Sequence, residues 1–509
     1  MKFLIIAIFA LLSNISIYSQ SLDKTNNFSN DSLFLKNYDP LEDLVKDIDN
    51  LINIPELFNA NIGVSIYSIS KNQYIYNLNQ NKNFIPASLL KLFTSYSGLF
   101  FLGKNYSTFT EFYTNGIVNK KGVLLGDLVV RSNGNLAIKY SNYESVFSDL
   151  VASLDSVGIK SIKGNLVIDN SYFDNVNYPL GWAIDDIKYN YSAQISAVNF
   201  NNNIIDIHLN SDAEIGELAK FESKPSTNYV TIENNVQVVG ENGESNVYFD
   251  RYFSSNVIKI WGKLKNNDYV KKPYRIEVSI DNPALYFANV LYEYLSDNNI
   301  IINGNIIEHT IEDNNLDYSP FYLMAMNQGE TIEEIIKQIN SKSDNLYSEI
   351  LLKLIGKEKT GVGSIHKGLE QIHKLAEDIG IPSSGLKLYD GSGLSRLNLI
   401  SPSAIIRLLN YVAAQKDFNT FRSSLSRPNE KGTLKNRFKG TNAEKKIWAK
   451  TGSMNYVNNI AGYIISNDGE MFSFAICFNN YTTPSSTIRN IQDLILMRLS
   501  SFERTYSKN

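Results

Sequence analysis

Three short strings stand in a fixed order along the chain: Ser88-Leu89-Leu90-Lys91, Ser343-Asp344-Asn345 and Lys450-Thr451-Gly452-Ser453. Between them they hold hydroxyls, two amines, an amide and a strand glycine, which are the ingredients of acyl transfer by a serine nucleophile. Pro86, followed by the good helix formers from Ala87 to Phe93, predicts a helix start with Ser88 near its N-terminus. Residues three apart share a helix face with Cβ atoms roughly 5–6 Å apart, so the Lys91 amine comes within hydrogen-bonding reach of the Ser88 hydroxyl. A hydroxyl is a weak nucleophile until a base takes its proton, and lysine is such a base only where burial or a neighbouring cation lowers its pKa. Lys450 is the expected neighbour, and the positive end of the helix acts in the same direction.

The second string lies between the amphipathic segment Ile332–Ile339 and the run Leu346–Ile355. Presented from a turn, Ser343 could relay a proton between Lys91 or Lys450 and a leaving amine, while Asn345 offers its amide to a substrate backbone. The third string closes the strand-like run Ile447-Trp448-Ala449. Gly452 there lets a ligand backbone approach without meeting a Cβ, and an edge strand at this place would pair with an extended peptide. Lys450 and Thr451 would hold a carboxylate, and the Ser453 N–H could join that of Ser88 as an oxyanion hole. Each string has an ordinary alternative: a surface lysine on an amphipathic helix, a helix N-cap, and a strand end with a turn glycine. Their order and combination carry the weight.

In that combination the strings match the signature of serine β-lactamases and penicillin-binding proteins. The chain resembles the D-alanyl-D-alanine carboxypeptidase/endopeptidase family, penicillin-binding protein 4 type, from about Asn61 to Phe502. Segments outside the three strings share the likeness: Gly158-Ile159-Lys160-Ser161-Ile162-Lys163-Gly164-Asn165, Ser196-Ala197-Val198-Asn199-Phe200-Asn201, Asp390-Gly391-Ser392-Gly393-Leu394-Ser395-Arg396, and Gly432-Thr433-Leu434 with Arg437-Phe438. The resemblance implies that Ser88 is acylated, Lys91 is its base, Ser343 and Asn345 form the second motif, and Lys450, Thr451 and Ser453 form the third. It places Trp182, Asp185, Arg396 and Met454 near a pocket for the stem-peptide side chain. Asn133-Gly134-Asn135 stands where the family usually has Gly-Asp-Pro, Arg427-Pro428-Asn429-Glu430 lacks an expected glycine, and Ser453 replaces a common threonine. None of these removes a catalytic group.

Organisation fits an α+β architecture. At 509 residues the chain exceeds one core. Ile62–Ile69 and Tyr74–Leu78 predict strands joined across Lys71-Asn72; near the other end Ile460–Ile465 and Met471–Phe478 flank Asn467-Asp468-Gly469, a hairpin signal. Ile488–Phe502 predicts a helix packed on that sheet. The expected fold is a serine β-lactamase/transpeptidase-like domain, an antiparallel sheet with a helical cluster, discontinuous in sequence over residues 38–104 and 318–505. It carries a large β-rich insertion over 105–317, in which Val146, Phe147, Leu150, Val151 and Leu154 predict a helix ended by Gly158.

Residues 1–19 predict a secretory signal: Lys2, then the apolar stretch Phe3–Leu12, then Ser19 as a small residue for cleavage before Gln20. Residues 20–37 are a polar linker. No later segment has the apolar length of a membrane span, so the expected protein is periplasmic, without an anchor in the mature chain. Hydrophobic content of 43% excludes a disordered chain, and a net charge of −4 gives no basic stripe for nucleic acid. The single cysteine, Cys477, cannot form an internal disulfide and predicts a buried strand thiol.

Four histidines are present and none adjoins a nucleophile-like motif, so a Ser-His-Asp triad finds no support. His366, Glu370 and His373 lack HExxH spacing and predict a solvated helix face rather than a metal site. The function expected is a serine-type D-Ala-D-Ala carboxypeptidase/endopeptidase acting on peptidoglycan stem peptides through an acyl-enzyme on Ser88. It is inhibited by β-lactams and needs no metal or other cofactor. The alternatives are a β-lactamase of the same fold, for which no extra deacylating base is visible, and a catalytically weak peptidoglycan-binding protein.

Overall fold

The computed structural model describes residues 40–504; the signal and linker expected over residues 1–37 lie outside the described residues. Five antiparallel strands form the principal sheet: β1 (Asn61–Ser68), β2 (Gln73–Leu78), β3 (Ile447–Met454), β4 (Val457–Ile465) and β5 (Met471–Asn479), in the order β2-β1-β5-β4-β3. The two ends of the chain meet where β1 pairs with β5, Val64 opposite Ile476. As expected, β1 and β2 join across Lys71-Asn72, and β4 and β5 across Asn467-Asp468-Gly469, where Gly469 takes a φ of 83° that suits a hairpin turn.

β5 is buried along nearly its whole length because the sheet is covered on both faces. Its side chains alternate between two cores: Phe472, Phe474, Ile476 and Phe478 pack with helices α1 (Pro40–Ile52) and α6 (Ser485–Ser500), whereas Ala475 and Cys477 face a larger helical cluster. That cluster contains α2 (Lys91–Leu102), α3 (Asn345–Thr360), α4 (Ile365–Asp378) and α5 (Pro402–Ala413). Burial raises the Cys477 thiol to about 12, so it packs as a small apolar group.

The insertion is β-rich and has its own core, built around Phe112, Phe147, Tyr286 and Phe287. Its five-stranded sheet runs Ile306–His309, Leu166–Asp169, Leu128–Ser132, Ser107–Thr114, Tyr322–Thr331. The last strand corrects the expected boundary at residue 317. Tyr322–Thr331 hydrogen-bonds to Ser107–Thr114, so the insertion's sheet closes at Thr331, directly before the Thr331 N-cap of helix Ile332–Lys337. The insertion is also anchored to the helical cluster: Leu136, Phe173, Ile195 and Ala197 join that core, and the fully buried Lys353 amine of α3 donates to the Asp174 carboxylate at 2.6 Å.

Phe147, on the helix Tyr143–Ser156, stacks edge-on against Phe112, Phe287 and Tyr294. Phe147→Ala is expected to destabilise the insertion by about 3–5 kcal/mol, seen as a leftward shift of the urea transition followed by tryptophan-independent far-UV circular dichroism.

Candidate active site

Ser88 lies in a single 3₁₀ turn, Ala87–Leu90, not in the α-helix itself, which begins at Lys91. Ala87 adopts a left-handed φ of 47° and Pro86 caps the turn, so the chain bends sharply before Ser88. The bend leaves the expected contact intact: Lys91 Nζ stands 3.1 Å from Ser88 Oγ. The same amine donates to Asn345 Oδ1 at 2.6 Å and to the Ser392 carbonyl at 2.6 Å.

Ser343 has a φ of 66° and ends a π-helical turn, Gln338–Lys342; Asp344 then caps α3 by accepting from the Tyr347 N–H at 3.2 Å. Capping and site-building therefore coexist in one tripeptide, since only the middle residue is used as the cap. Ser343 Oγ accepts from Lys450 Nζ at 2.8 Å, and Lys450 also donates to the Thr451 carbonyl at 2.8 Å. Ser343 is thus paired with Lys450, not with Lys91. Asn345 differs from its expected role as a free amide, because Nδ2 donates to the Tyr191 carbonyl at 2.7 Å while Oδ1 serves Lys91.

Lys91 and Lys450 are both fully buried. Burial holds the Lys91 amine down to about 8, against the opposing pull of Asp390, Glu349 and Asp344. Lys450 lies well below its ordinary value, first through burial and then through repulsion by Lys91. Desolvation is the largest cause of the lowering at Lys91, ahead of any effect of the neighbouring amine.

β3 is one of the two edge strands of the sheet. The strand does not stop at the third string but continues through it to Met454, because Val457–Ile465 pairs with it residue for residue. Gly452 therefore acts differently from a turn glycine. A Cβ there would stand 2.6 Å from the Pro86 carbonyl and 3.0 Å from the Ser88 nitrogen, so its absence lets β3 press against the nucleophile turn.

A cavity of about 370 Å³ opens beside Ser88, lined among others by Ser343, Asn345, Arg396, Ser453, Met454 and Tyr191. Arg396 donates to the Asn455 carbonyl at 3.1 Å and so leans on the β3–β4 turn. Trp182 and Asp185 do not line this cavity. The Trp182 indole turns away to donate to Asp390 at 3.0 Å, and Asp185 is exposed, while Gly181, Ala183 and Asp186 from the same loop form the wall. Asp186 and Tyr191 went unnoticed in the sequence, where nothing marks one of two adjacent aspartates or one of many tyrosines. Glu370 is occupied by Lys367 at 2.9 Å and by His366 at 2.9 Å.

A nucleophile turn, an αL serine paired with one buried lysine and an edge strand beside them define a serine acyl-transfer fold. The chain belongs to the D-Ala-D-Ala carboxypeptidase 3 (S13) family, whose model matches residues 44–501. It is 29% identical over 474 residues to the D-alanyl-D-alanine carboxypeptidase of Actinomadura sp. (strain R39), covering 91% of this chain and 85% of that one. It is 27% identical over 430 residues to D-alanyl-D-alanine carboxypeptidase DacB of Haemophilus influenzae, covering 83% and 86%. The crystal structure of penicillin binding protein 4 (dacB) from H. influenzae superposes with a TM-score of 0.77 at 25% identity, over 90% of this chain and 99% of that one. A second structure of that protein, complexed with a β-lactam, matches with a TM-score of 0.73 at 23% identity. The α+β fold with a β-lactamase-like domain is thereby established, and the chain is a hydrolase of the serine D-Ala-D-Ala carboxypeptidase class.

Gly452→Ala forces β3 and the Ser88 turn apart. Overpacking of this kind is expected to cost about 1–3 kcal/mol, read as a lowered Tm by calorimetry.

Proposed function

We propose that this chain removes the terminal D-alanine of peptidoglycan stem peptides through an acyl-enzyme on Ser88. The observation that carries the proposal is the set of partners around Lys91 Nζ. A neutral amine has two hydrogens and one lone pair; the carbonyl oxygens of Asn345 and Ser392 take the hydrogens, which leaves the lone pair for the Ser88 hydroxyl at 3.1 Å. Burial keeps a large share of the amine in that neutral form near pH 8.

Ser88 Oγ attacks the carbonyl carbon between the two D-alanines as its proton passes to Lys91. The N–H groups of Ser88 and Ser453 stabilise the oxyanion. As the tetrahedral intermediate collapses, the C–N bond breaks and the departing amine takes a proton through Ser343, which Lys450 holds at 2.8 Å. Water then attacks the ester while giving a proton to the Ser343–Lys450 pair, the bond between the acyl carbon and Ser88 Oγ breaks, Oγ takes its proton back from Lys91, and the shortened peptide leaves as a carboxylate. The substrate's own terminal carboxylate sits against Lys450 and Thr451, and its arrival favours the protonated form of Lys450 that burial alone disfavours. Arg396 and Met454, in the cavity wall, receive the stem-peptide side chain. A β-lactam imitates the peptide, but its leaving group stays tethered after ring opening, so the ester on Ser88 persists.

The sheet domain, residues 38–104 with the segment after Thr331, is the catalytic unit, and the signal-like residues 1–19 support export to the periplasm. No helix among the described residues is long and apolar enough to cross a membrane.

Purified protein incubated with fluorescent penicillin is expected to carry a long-lived label that Ser88→Ala abolishes, and to release D-alanine from pentapeptide muropeptides. Rapid antibiotic turnover would point to a β-lactamase, and absence of both label and release would leave a binding role. Because Lys91 is a base only when unprotonated, the labelling rate is expected to climb as pH rises through about 8; a rate flat between acid and alkaline buffers would remove Lys91 as the base.

A further inference from the structure

One face of α3 carries three polar side chains at helical spacing, Asn345, Glu349 and Lys353, on a helix whose other buried side chains are mostly apolar. Asn345 holds Lys91, and Lys353 holds the insertion. Glu349 is fully buried and touches no substrate cavity. Its carboxylate accepts the Gly391 N–H at 2.9 Å and the Ser392 N–H at 2.7 Å.

Those N–H groups belong to a loop that reaches the base from the other side. The peptide unit joining Gly391 to Ser392 gives its N–H to Glu349, while its carbonyl accepts from Thr94 on α2 at 2.6 Å. The next unit gives its N–H, from Gly393, to Asp390 at 2.9 Å, and its carbonyl, that of Ser392, accepts from Lys91. The first peptide unit therefore spans from α3 to α2 and the second from Asp390, in the loop itself, to α2, with carboxylates at their N–H ends and the base at one carbonyl end. Glycines make the span possible. A Cβ on Gly391 would stand 2.9 Å from the Ser348 carbonyl, and one on Gly393 would stand 1.9 Å from the Ala87 carbonyl of the nucleophile turn.

We propose that Glu349 is a positioning residue for the nucleophile's base: by clamping the loop at Gly391 and Ser392, it sets the direction in which the Ser392 carbonyl draws one Lys91 hydrogen, and so aims the amine's lone pair at Ser88. The proposal rests on the functional assignment above and deepens it. By hydrogen bonds Glu349 reaches Lys91 only by way of this loop, and a buried acid with both oxygens committed to loop groups is otherwise a costly tenant of an apolar helix. Burial, and after it Asp390, pushes its pKa up, while the hydrogen bonds from Gly391 and Ser392 pull it back towards the acceptor-only carboxylate.

Glu349→Gln keeps the volume and replaces one acceptor oxygen with a donor that faces an N–H. In the full chain, the penicillin labelling rate and kcat on a D-Ala-D-Ala peptide are expected to fall about 10²-fold, while KM stays within about threefold, the pattern of a misaimed base rather than a lost binding contact. Lys353→Met, one turn further along α3, is the reference for a merely structural lesion and is expected to lower Tm while leaving the labelling rate near wild type. Should Glu349→Gln fail to accumulate as folded protein, Glu349→Asp, which keeps the charge but withdraws it by one methylene, is read on the same ratio. Wild-type labelling by either Glu349 variant, or an equal loss in Lys353→Met, would overturn the proposal. Absence of label on the wild type would instead overturn the assignment of Ser88.

Discussion

A lysine amine with no access to solvent is the constraint around which this molecule is arranged. Desolvation disfavours the charged form, and the same walls that exclude water must supply acceptors for the amine's hydrogens. Three elements distant in sequence meet at it: the N-terminus of α3 and the loop at Ser392 take its two hydrogens, and the Ser88 turn faces its lone pair. Each is fixed from behind, by β3 pressed against the turn through Gly452, by Asp344 capping α3, and by the buried carboxylates of Glu349 and Asp390 holding the loop. A second buried lysine, Lys450, adds repulsion between the two amines, and the acids around Lys91 oppose its loss of charge.

What could be read from the sequence divides along physical lines. The three motif strings, the terminal hairpins and the insertion helix were legible because each is a local signal: capping residues, period-two apolarity, turn glycines or a recurrent apolar face. The convergence of Ser88, Lys91, Ser343, Asn345 and Lys450 was legible only through motif order and family likeness, since nothing local brings residues hundreds of positions apart together. Glu349 was invisible because a glutamate within a helical run ordinarily lies on the solvated face, and its partners are backbone N–H groups that no side-chain pattern betrays. The end of the insertion was misplaced for a related reason. Tyr322–Thr331 is a strand with little apolar alternation, and only its pairing with Ser107–Thr114 shows which sheet it serves.

The insertion does more than hang from a loop. It contributes the Tyr191 carbonyl that fixes the Asn345 amide, the Asp186 side of the cavity and the Asp174 carboxylate that neutralises Lys353. Asn345 thus stands with one end of its amide on the base and the other on the insertion. The correction at Trp182 and Asp185 belongs here as well: the loop expected at the cavity is there, but its tryptophan braces Asp390 while a neighbouring aspartate faces inward.

The meeting of chain ends in the sheet has a bearing on how the protein is made. Until residues 471–479 exist, β1 has only β2 beside it, and a lone two-stranded hairpin has little stability in water. The insertion, with a core of its own, can consolidate before the final strands are in place. The turn bearing Ser88 must wait for the final strands, a pairing of very long sequence separation and therefore slow to form. Reactivity is in this way a property of the finished polypeptide alone, and a nascent or C-terminally clipped chain carries its nucleophile unarmed.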